Sequence, residues 1–384
     1  MGVTGAGKST FVSDLVGNNN VIIGHSLKSE TKLTAAYRLD HEVLGRIELL
    51  DTPGFDDTFS ADTEVLREIA ARMSKMYRDG KKLAGIIYLH RISDNRMTGS
   101  ALRNLRMFKE LCGENAYSHV VLATSMWSKE DFSIAKQREQ ELVGDGGFWA
   151  EMAKRGSPVR RWLNRSSPHE IIGEIMSENR ASGPATLQIQ RELVDERKRL
   201  ERTAAGQEVD RELNKIRQMF EKQLQDLRDE NRIAMQEQDV EWQTALREQR
   251  KELERQQQLI DDGQKAMQVT FEQLCVDNKE KYDREILRLK KELERAEVAS
   301  EMARLATERK EAEIDTLRKE LGDKTESEQG DEDRKQLQDA EEEQAKLVKE
   351  LEEKRKKQIS LRSLLLLLGH AIATTTNIVV QLVV

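Results

Sequence analysis

At 384 residues the chain has room for two or three domains, but 35% charged residues against 4% aromatics leave too little apolar material for three compact ones. A formal net charge of -7, with Lys and Arg interleaved among Asp and Glu, gives no concentrated basic face and argues against a nucleic-acid partner. The two cysteines, Cys112 and Cys275, have no CxxC or metal-like spacing, which excludes a disulfide framework and fits a reducing, cytoplasmic setting.

No charged n-region and apolar h-region open the chain, so the amino end is expected to face the cytosol, and Ala6 stands where a myristoylation signal needs Ser or Thr. The first motif is immediate. Gly2-Val-Thr-Gly5-Ala6-Gly7-Lys8-Ser9 fits GxxxxGK[ST]. In such a loop the glycines let backbone N–H groups of Gly2, Gly5, Ala6, Gly7 and Thr10 curl around a diphosphate. Lys8 adds a mobile positive charge, and the Ser9 hydroxyl is a magnesium ligand. A helix over residues 10–17 would point its positive end at the phosphates.

Gly45-Arg-Ile-Glu-Leu-Leu-Asp51-Thr-Pro-Gly54 is an apolar strand ending in DxxG. There Asp51 is expected to hold magnesium, and the Gly54 N–H to touch the γ-phosphate and report its loss. Between the two motifs lies a polar segment with three hydroxyls suited to complete the metal shell. Thr31 is favoured over Thr34 and Ser29. Lys8, Thr31 and Gly54 are thus the catalytic candidates, and Ser9, Thr31 and Asp51 the metal set.

Strand-like runs at 34–39, 45–50, 84–89, 120–124 and 159–162 alternate with helical runs at 62–77, 100–111 and 129–143. That order predicts an α/β, doubly wound, mostly parallel sheet of the P-loop type, followed by a long helical coiled coil. One strand is missing. The central strand that normally delivers the loop has no counterpart before Met1, so the sheet is expected to carry an open slot, with Met1 read as an internal methionine or a mis-set start.

MGVTGAGKST, SLKSETKL, LLDTPGFDDT and GIIYLHRISDNRM together resemble the septin-like branch of P-loop GTPases, which includes the immunity-associated GTPases and the plastid import receptors. The closest similarity is to fungal G-domain proteins with the same YLHRISDNRM run, over roughly residues 1–180. The resemblance implies GTP and GDP as ligands with Mg2+, slow or partner-dependent hydrolysis, and dimerisation through the G domain. Two features depart from that pattern. Guanine is usually chosen by [NT]KxD, yet the strand ending at Thr124 runs into Ser125-Met126-Trp127, so only Thr124 matches and Asp131 lies too far on. Phe55 follows Gly54 where Ras-type GTPases carry a water-orienting Gln, leaving Asp56, Asp57 or a partner's residue, with His90 and Arg91 as candidates in trans. Asn164 falls near the loop that cups the base in relatives.

All four prolines lie at or before Pro184, and the rest of the chain has none, which places the G domain at 1–181, a linker at 182–187 and a fibrous arm after it. Over 188–357, Val209, Leu213, Ile216, Phe220, Leu224 and Leu227 repeat at helical spacing, as do Leu246, Leu253, Ile260, Met267 and Leu274 at sevens, and later Ile286, Leu289 and Leu293. Such steps predict a coiled coil and a homodimer, against the alternative of a solvated single helix laced with ion pairs. Gly206, Gly263, Gly322 and Gly330 read as interruptions, and 322–333 as an acidic hinge. Residues 363–384 lack Asp, Glu, Lys and Arg and follow a basic flank, which reads either as a tail anchor on a membrane's cytosolic face or as a terminal strand or hairpin. The function expected is a GTP-dependent switch. The alternatives are a coiled-coil tether with a degenerate nucleotide site and an ATP-binding relative.

Overall fold

The computed structural model describes residues 1–16, 33–41, 45–54, 59–236, 240–322, 328–372 and 380–383. Two compact units divide the chain, residues 1–280 with 374–384, and residues 281–373.

The first unit is built on a six-stranded sheet. Its strands are β1 (Ala35–His41), β2 (Gly45–Asp51), β3 (Leu83–Arg91), β4 (Val120–Ser125), β5 (Val159–Arg161) and β6 (Val380–Val383). The order across the sheet is β1-β2-β6-β3-β4-β5, with β1 antiparallel to β2 and every other pair parallel. Continuous apolar runs explain the middle of the sheet. Ile86, Ile87 and Leu89 of β3 and Val120 to Ala123 of β4 are buried, as expected of parallel strands covered on both faces.

Helices α1 (Lys8–Val16), α2 (Phe59–Arg78), α3 (Gly99–Cys112), α4 (Phe132–Val143), α5 (Ala150–Lys154) and α6 (Ser167–Ser182) supply that cover. Strand alternation assigns the faces. Gly85 lies against Ile175 of α6, so close that an added Cβ would sit 2.7 Å from its Cγ2. Tyr88, pointing to the opposite face, meets Phe108 of α3 at 4.7 Å between ring centroids, and Trp149 at 5.3 Å. Local chemistry sets the ends of α3: the Thr98 side chain accepts from the Ala101 amide, and Gly113 ends the helix at φ 72.

The slot expected to be empty is filled. β6, from the carboxyl end, pairs in parallel with β2 on one side and β3 on the other. The stretch 363–384 is therefore divided between helix and strand, with 373–379 and 384 outside the described residues. No helix among the described residues is long and apolar enough to cross a membrane.

A short turn α7 (Gln188–Gln190) leads to α8 (Ala204–Gln236), α9 (Val240–Met267), α10 (Phe271–Gly322) and α11 (Glu328–Ile372). The boundary between the units falls within α10, well beyond the linker expected at 182–187. α8 and α9 form an antiparallel hairpin that packs on α2 and α3. Gln264 of α9 donates to Asp210 at 2.6 Å and to Asn214 at 2.9 Å in α8. Arg106 of α3 grips Glu208 and Glu212 of α8, each at 2.8 Å. Val209, Leu213, Phe220, Leu224, Leu246, Ile260 and Met267 are buried within this unit, so their heptad stripe is used inside the chain. Gly206 and Gly263, read above as interruptions, lie inside α8 and α9. The physical reason is close approach: a Cβ at Gly206 would sit 1.9 Å from the Leu200 carbonyl oxygen.

In the second unit α10 and α11 also run antiparallel, tied by Lys310–Glu343, Arg318–Glu341 and Arg362–Glu297 pairs. Of the acidic hinge, 323–327 lie outside the described residues, while Gly330 is helical within α11.

Candidate nucleotide site

Residues 1–8 form a tight turn between the sheet and α1. Gly2, Gly5 and Gly7 have φ of 137, 79 and 96, values that favour glycine, and Ala6 is fully buried between the last two. The turn aims the first amides of α1 into the bend, where a helix N-terminus attracts anions. Lys8 is only 7% exposed, and its ammonium donates to the Gly2 and Val3 carbonyls at 3.1 and 3.0 Å. Thr10 lies two residues further along α1, half-buried.

The second motif arrives from β2. Although 42 residues separate them in sequence, the Ser9 hydroxyl donates to Asp51 Oδ2 at 2.8 Å. Asp51 is buried, and its Oδ1 has no hydrogen-bond partner among the described residues. Burial raises the Asp51 carboxyl pKa, against the opposing pull of Lys8 and the Ser9 hydrogen bond. A buried acceptor with one oxygen unused, beside a hydroxyl, suits a hard divalent cation that takes oxygen ligands and keeps several waters. No cluster of three or more His, Cys, Asp or Glu able to hold a metal occurs among the described residues, so magnesium would need the nucleotide's phosphates as co-ligands. When bound, magnesium would neutralise charge on the phosphate oxygens.

A protein-stability consequence follows from Asp51. Its folded pKa is raised, so its contribution to stability is full at low pH and is lost as pH climbs from about 4 through the raised value. Without magnesium and nucleotide, Asp51→Asn is expected to be more stable than the parent at pH 8, by on the order of 1 kcal/mol, and no more stable at pH 4. Urea unfolding at the two pH values checks this, and a variant equally or less stable at pH 8 refutes it.

Gly54 closes the cluster. A Cβ there would lie 2.7 Å from both Lys8 Nζ and Thr4 Oγ1 and 2.9 Å from Thr4 Cα, so β2's exit rests directly on the loop. Thr31 and Ser29 lie outside the described residues, as do Phe55, Asp56 and Asp57. Thr34 lies immediately before β1, its amide donating to Glu68 at 3.1 Å. Arg91, at the end of β3, reaches the phosphate loop of the same chain, with Nη1 3.3 Å from where a Gly5 Cβ would be, and its Nε pairs with Asp94 at 3.1 Å.

The base side differs from the expected pattern. The Thr124 hydroxyl is turned inward, donating to the Arg160 carbonyl at 3.3 Å and accepting from Trp127 Nε1 at 3.1 Å. Asp131 caps α4, accepting from the Ser133 hydroxyl and from the amides of Ser133 and Ile134 at 2.8 and 3.3 Å, and those bonds, the hydroxyl's first, hold its carboxyl below the usual range. It is thereby committed to the helix end. Arg161 stacks over Trp127 at 4.6 Å while pairing with Glu139. Asn164 caps the turn into α6 by accepting from the Ser166 and Ser167 amides at 2.9 and 3.1 Å.

Two contributors are not evident from the motifs. Ser125, fully inside the fold, donates to the Ala6 carbonyl at 2.9 Å and ties the end of β4 to the loop. Trp162 packs 3.0 Å from a Gly7 Cβ position and edge-on to Phe11, with centroids 5.3 Å apart. Both connections are long-range, and neither residue type carries a local signal for it.

Residues 1–122 match the family model of the 50S ribosome-binding GTPase. That match and the parallel sheet support a P-loop NTPase fold of GTPase type in the amino-terminal part of the chain, and a domain of that type implies guanine-nucleotide binding, usually with Mg2+. A comparison with curated proteins gives no match.

Proposed function

We propose that this P-loop GTPase domain works as a magnesium-dependent GTP/GDP switch in the cytoplasm, of the septin-like branch that its motifs resemble. Hydrolysis is slow or depends on a partner. The observation that carries the reading is the convergence of Lys8, Ser9, Asp51 and Gly54 on one side of the loop, with Gly54 in contact range of both Lys8 and Thr4. A residue placed there would shift when a γ-phosphate arrives or leaves, and the chain after it would move with it. Thr31 is assigned to the triphosphate state, and Lys8, Thr31 and Gly54 to phosphate transfer.

The partner is a second copy of the chain, meeting through the G domain. Because the stripes of α8 and α9 are buried within the first unit, the G-domain contact is the part of dimerisation we favour. The test of the nucleotide reading is a fluorescent-GDP titration of the full chain with GTP and ATP as competitors, run with magnesium and with EDTA. Magnesium-dependent binding displaced by GTP and not ATP supports it. Equal displacement by ATP favours the ATP-binding alternative, and no binding favours the tether.

The base side supplies a sharper check. Counted from Thr124, the residue that matches the motif, the fourth position is Trp127, which is buried with Arg161 stacked on it, and the exposed residue next to it is Ser128. A carboxylate there would accept two base protons in charge-assisted bonds. Ser128→Asp is expected to tighten GDP binding roughly tenfold, about 1.4 kcal/mol, without tightening ADP binding. Parallel titrations with both diphosphates measure this, and equal gains for the two refute the assignment.

A further inference from the structure

The lane between β2 and β3 holds two segments from opposite ends of the chain. Its first part is β6, with Val380 to Val383 opposite Ile47 to Leu50 of β2, and Leu382 and Val383 opposite Gly85 and Ile86 of β3. Its second part is Met1, whose nitrogen donates to the Ile87 carbonyl at 2.5 Å and whose carbonyl accepts from the Leu89 amide at 2.8 Å. In a parallel ladder those two bonds place Met1 opposite Tyr88. Val383 is opposite Ile86, so a single row, that of Ile87, separates the two segments. They follow one another in the same lane and the same direction, and the phosphate loop leaves from the far end at Gly2.

We infer that Val380–Val383 is the anchoring strand of the phosphate loop, supplied from the carboxyl end of the chain, and that nucleotide affinity is set in part by whether this strand is seated. Its nucleotide readout rests on the function proposed above. The physical basis is the ladder. β2 and β3 are inner strands, and without β6 they would face each other across an unfilled lane with their backbone groups unpaired. Lys8 feels this directly, because its ammonium is held by the carbonyls of Gly2 and Val3, the first residues beyond the lane. The strand thus links the carboxyl end of the chain to the site at its amino end. Release of the strand is a way to unload nucleotide without touching any residue that contacts it.

The experiment uses the full chain carrying Leu382→Pro, which removes an amide from the middle of β6 where it is paired on both sides. A chain ending at residue 373 is the second variant. Two readouts are taken: hydrogen exchange at the amides of Leu49, Leu50, Ile86 and Ile87, and the Kd for fluorescent GDP with magnesium. Both variants are expected to lose protection at those amides and to bind GDP at least tenfold more weakly. A synthetic peptide of residues 374–384 is expected to restore both in the shortened chain, while a scrambled peptide does not. Unchanged exchange in Leu382→Pro and in the shortened chain overturns the inference, as does loss that the peptide cannot restore. Should the parent chain bind no GDP, the nucleotide reading fails by itself, and the exchange readout still decides whether the strand holds the sheet.

Discussion

Lys8→Met is expected to weaken GDP binding at least 100-fold while leaving the melting temperature of the nucleotide-free protein unchanged or higher. The first half follows from charge. An ammonium that meets phosphate oxygens makes hydrogen bonds worth about 1.5–3 kcal/mol each, and two of them amount to about 100-fold or more. The second half follows from burial. Lys8 is 7% exposed, so in the absence of ligand its charge is kept out of water by the very loop it serves. Carbonyl groups such as those of Gly2 and Val3 repay only part of that cost, and Met keeps the length of the side chain without the charge. Asp51 pulls the other way, since losing Lys8 removes a positive neighbour from a buried carboxyl whose pKa is already raised. A carboxyl in that position takes up a proton instead of unfolding the site. Isothermal titration and thermal unfolding on the same preparation separate the two effects. A fall in melting temperature that tracks the loss of binding would show that Lys8 props up the fold, and would refute this account.

The parts of the molecule legible in the sequence are those whose signal is local. The runs at 84–89 and 120–124 are apolar because β3 and β4 are buried on both faces, and the structure places them at Leu83–Arg91 and Val120–Ser125. The two phosphate motifs are legible because glycine spacing and a strand-end carboxylate have few other uses, and Ser9 and Asp51 meet at 2.8 Å. What escaped depends on partners distant in sequence. A seven-residue repeat specifies that one stripe of a helix is buried but not against what, and α8 and α9 use theirs inside the first unit. The apolar carboxyl end is compatible by composition with a membrane span and with an inner strand, and only the vacancy between β2 and β3 distinguishes them. That β6 lies there rests on pairing with residues of β2 and β3 more than 290 positions earlier in the chain, and composition carries no signal for such partners.

Gly2→Ala is the second substitution with a large expected effect, because it strikes the joint between that sheet and the loop. Two costs act at once. Gly2 has φ of 137, a backbone conformation that side-chain-bearing residues rarely adopt, and an added Cβ would lie 2.4 Å from the Leu89 carbonyl oxygen. Backbone strain of this kind costs about 1–3 kcal/mol, and forcing β3 or the loop aside adds a similar amount. Leu89 cannot yield freely, since its amide donates to the Met1 carbonyl at 2.8 Å. The loop must therefore move, carrying with it the Gly2 carbonyl that positions Lys8 at 3.1 Å. The expected outcome is a lower melting temperature together with GDP binding weakened by more than tenfold. Gly80→Ala provides the matched control, since Gly80 has φ of 74 but nothing within 4 Å of an added Cβ. It isolates the strain of the left-handed conformation from the clash. If Gly2→Ala costs no more stability than Gly80→Ala and binds GDP as the parent does, then the loop does not depend on its contact with β3, and the sheet is not what holds the site in shape.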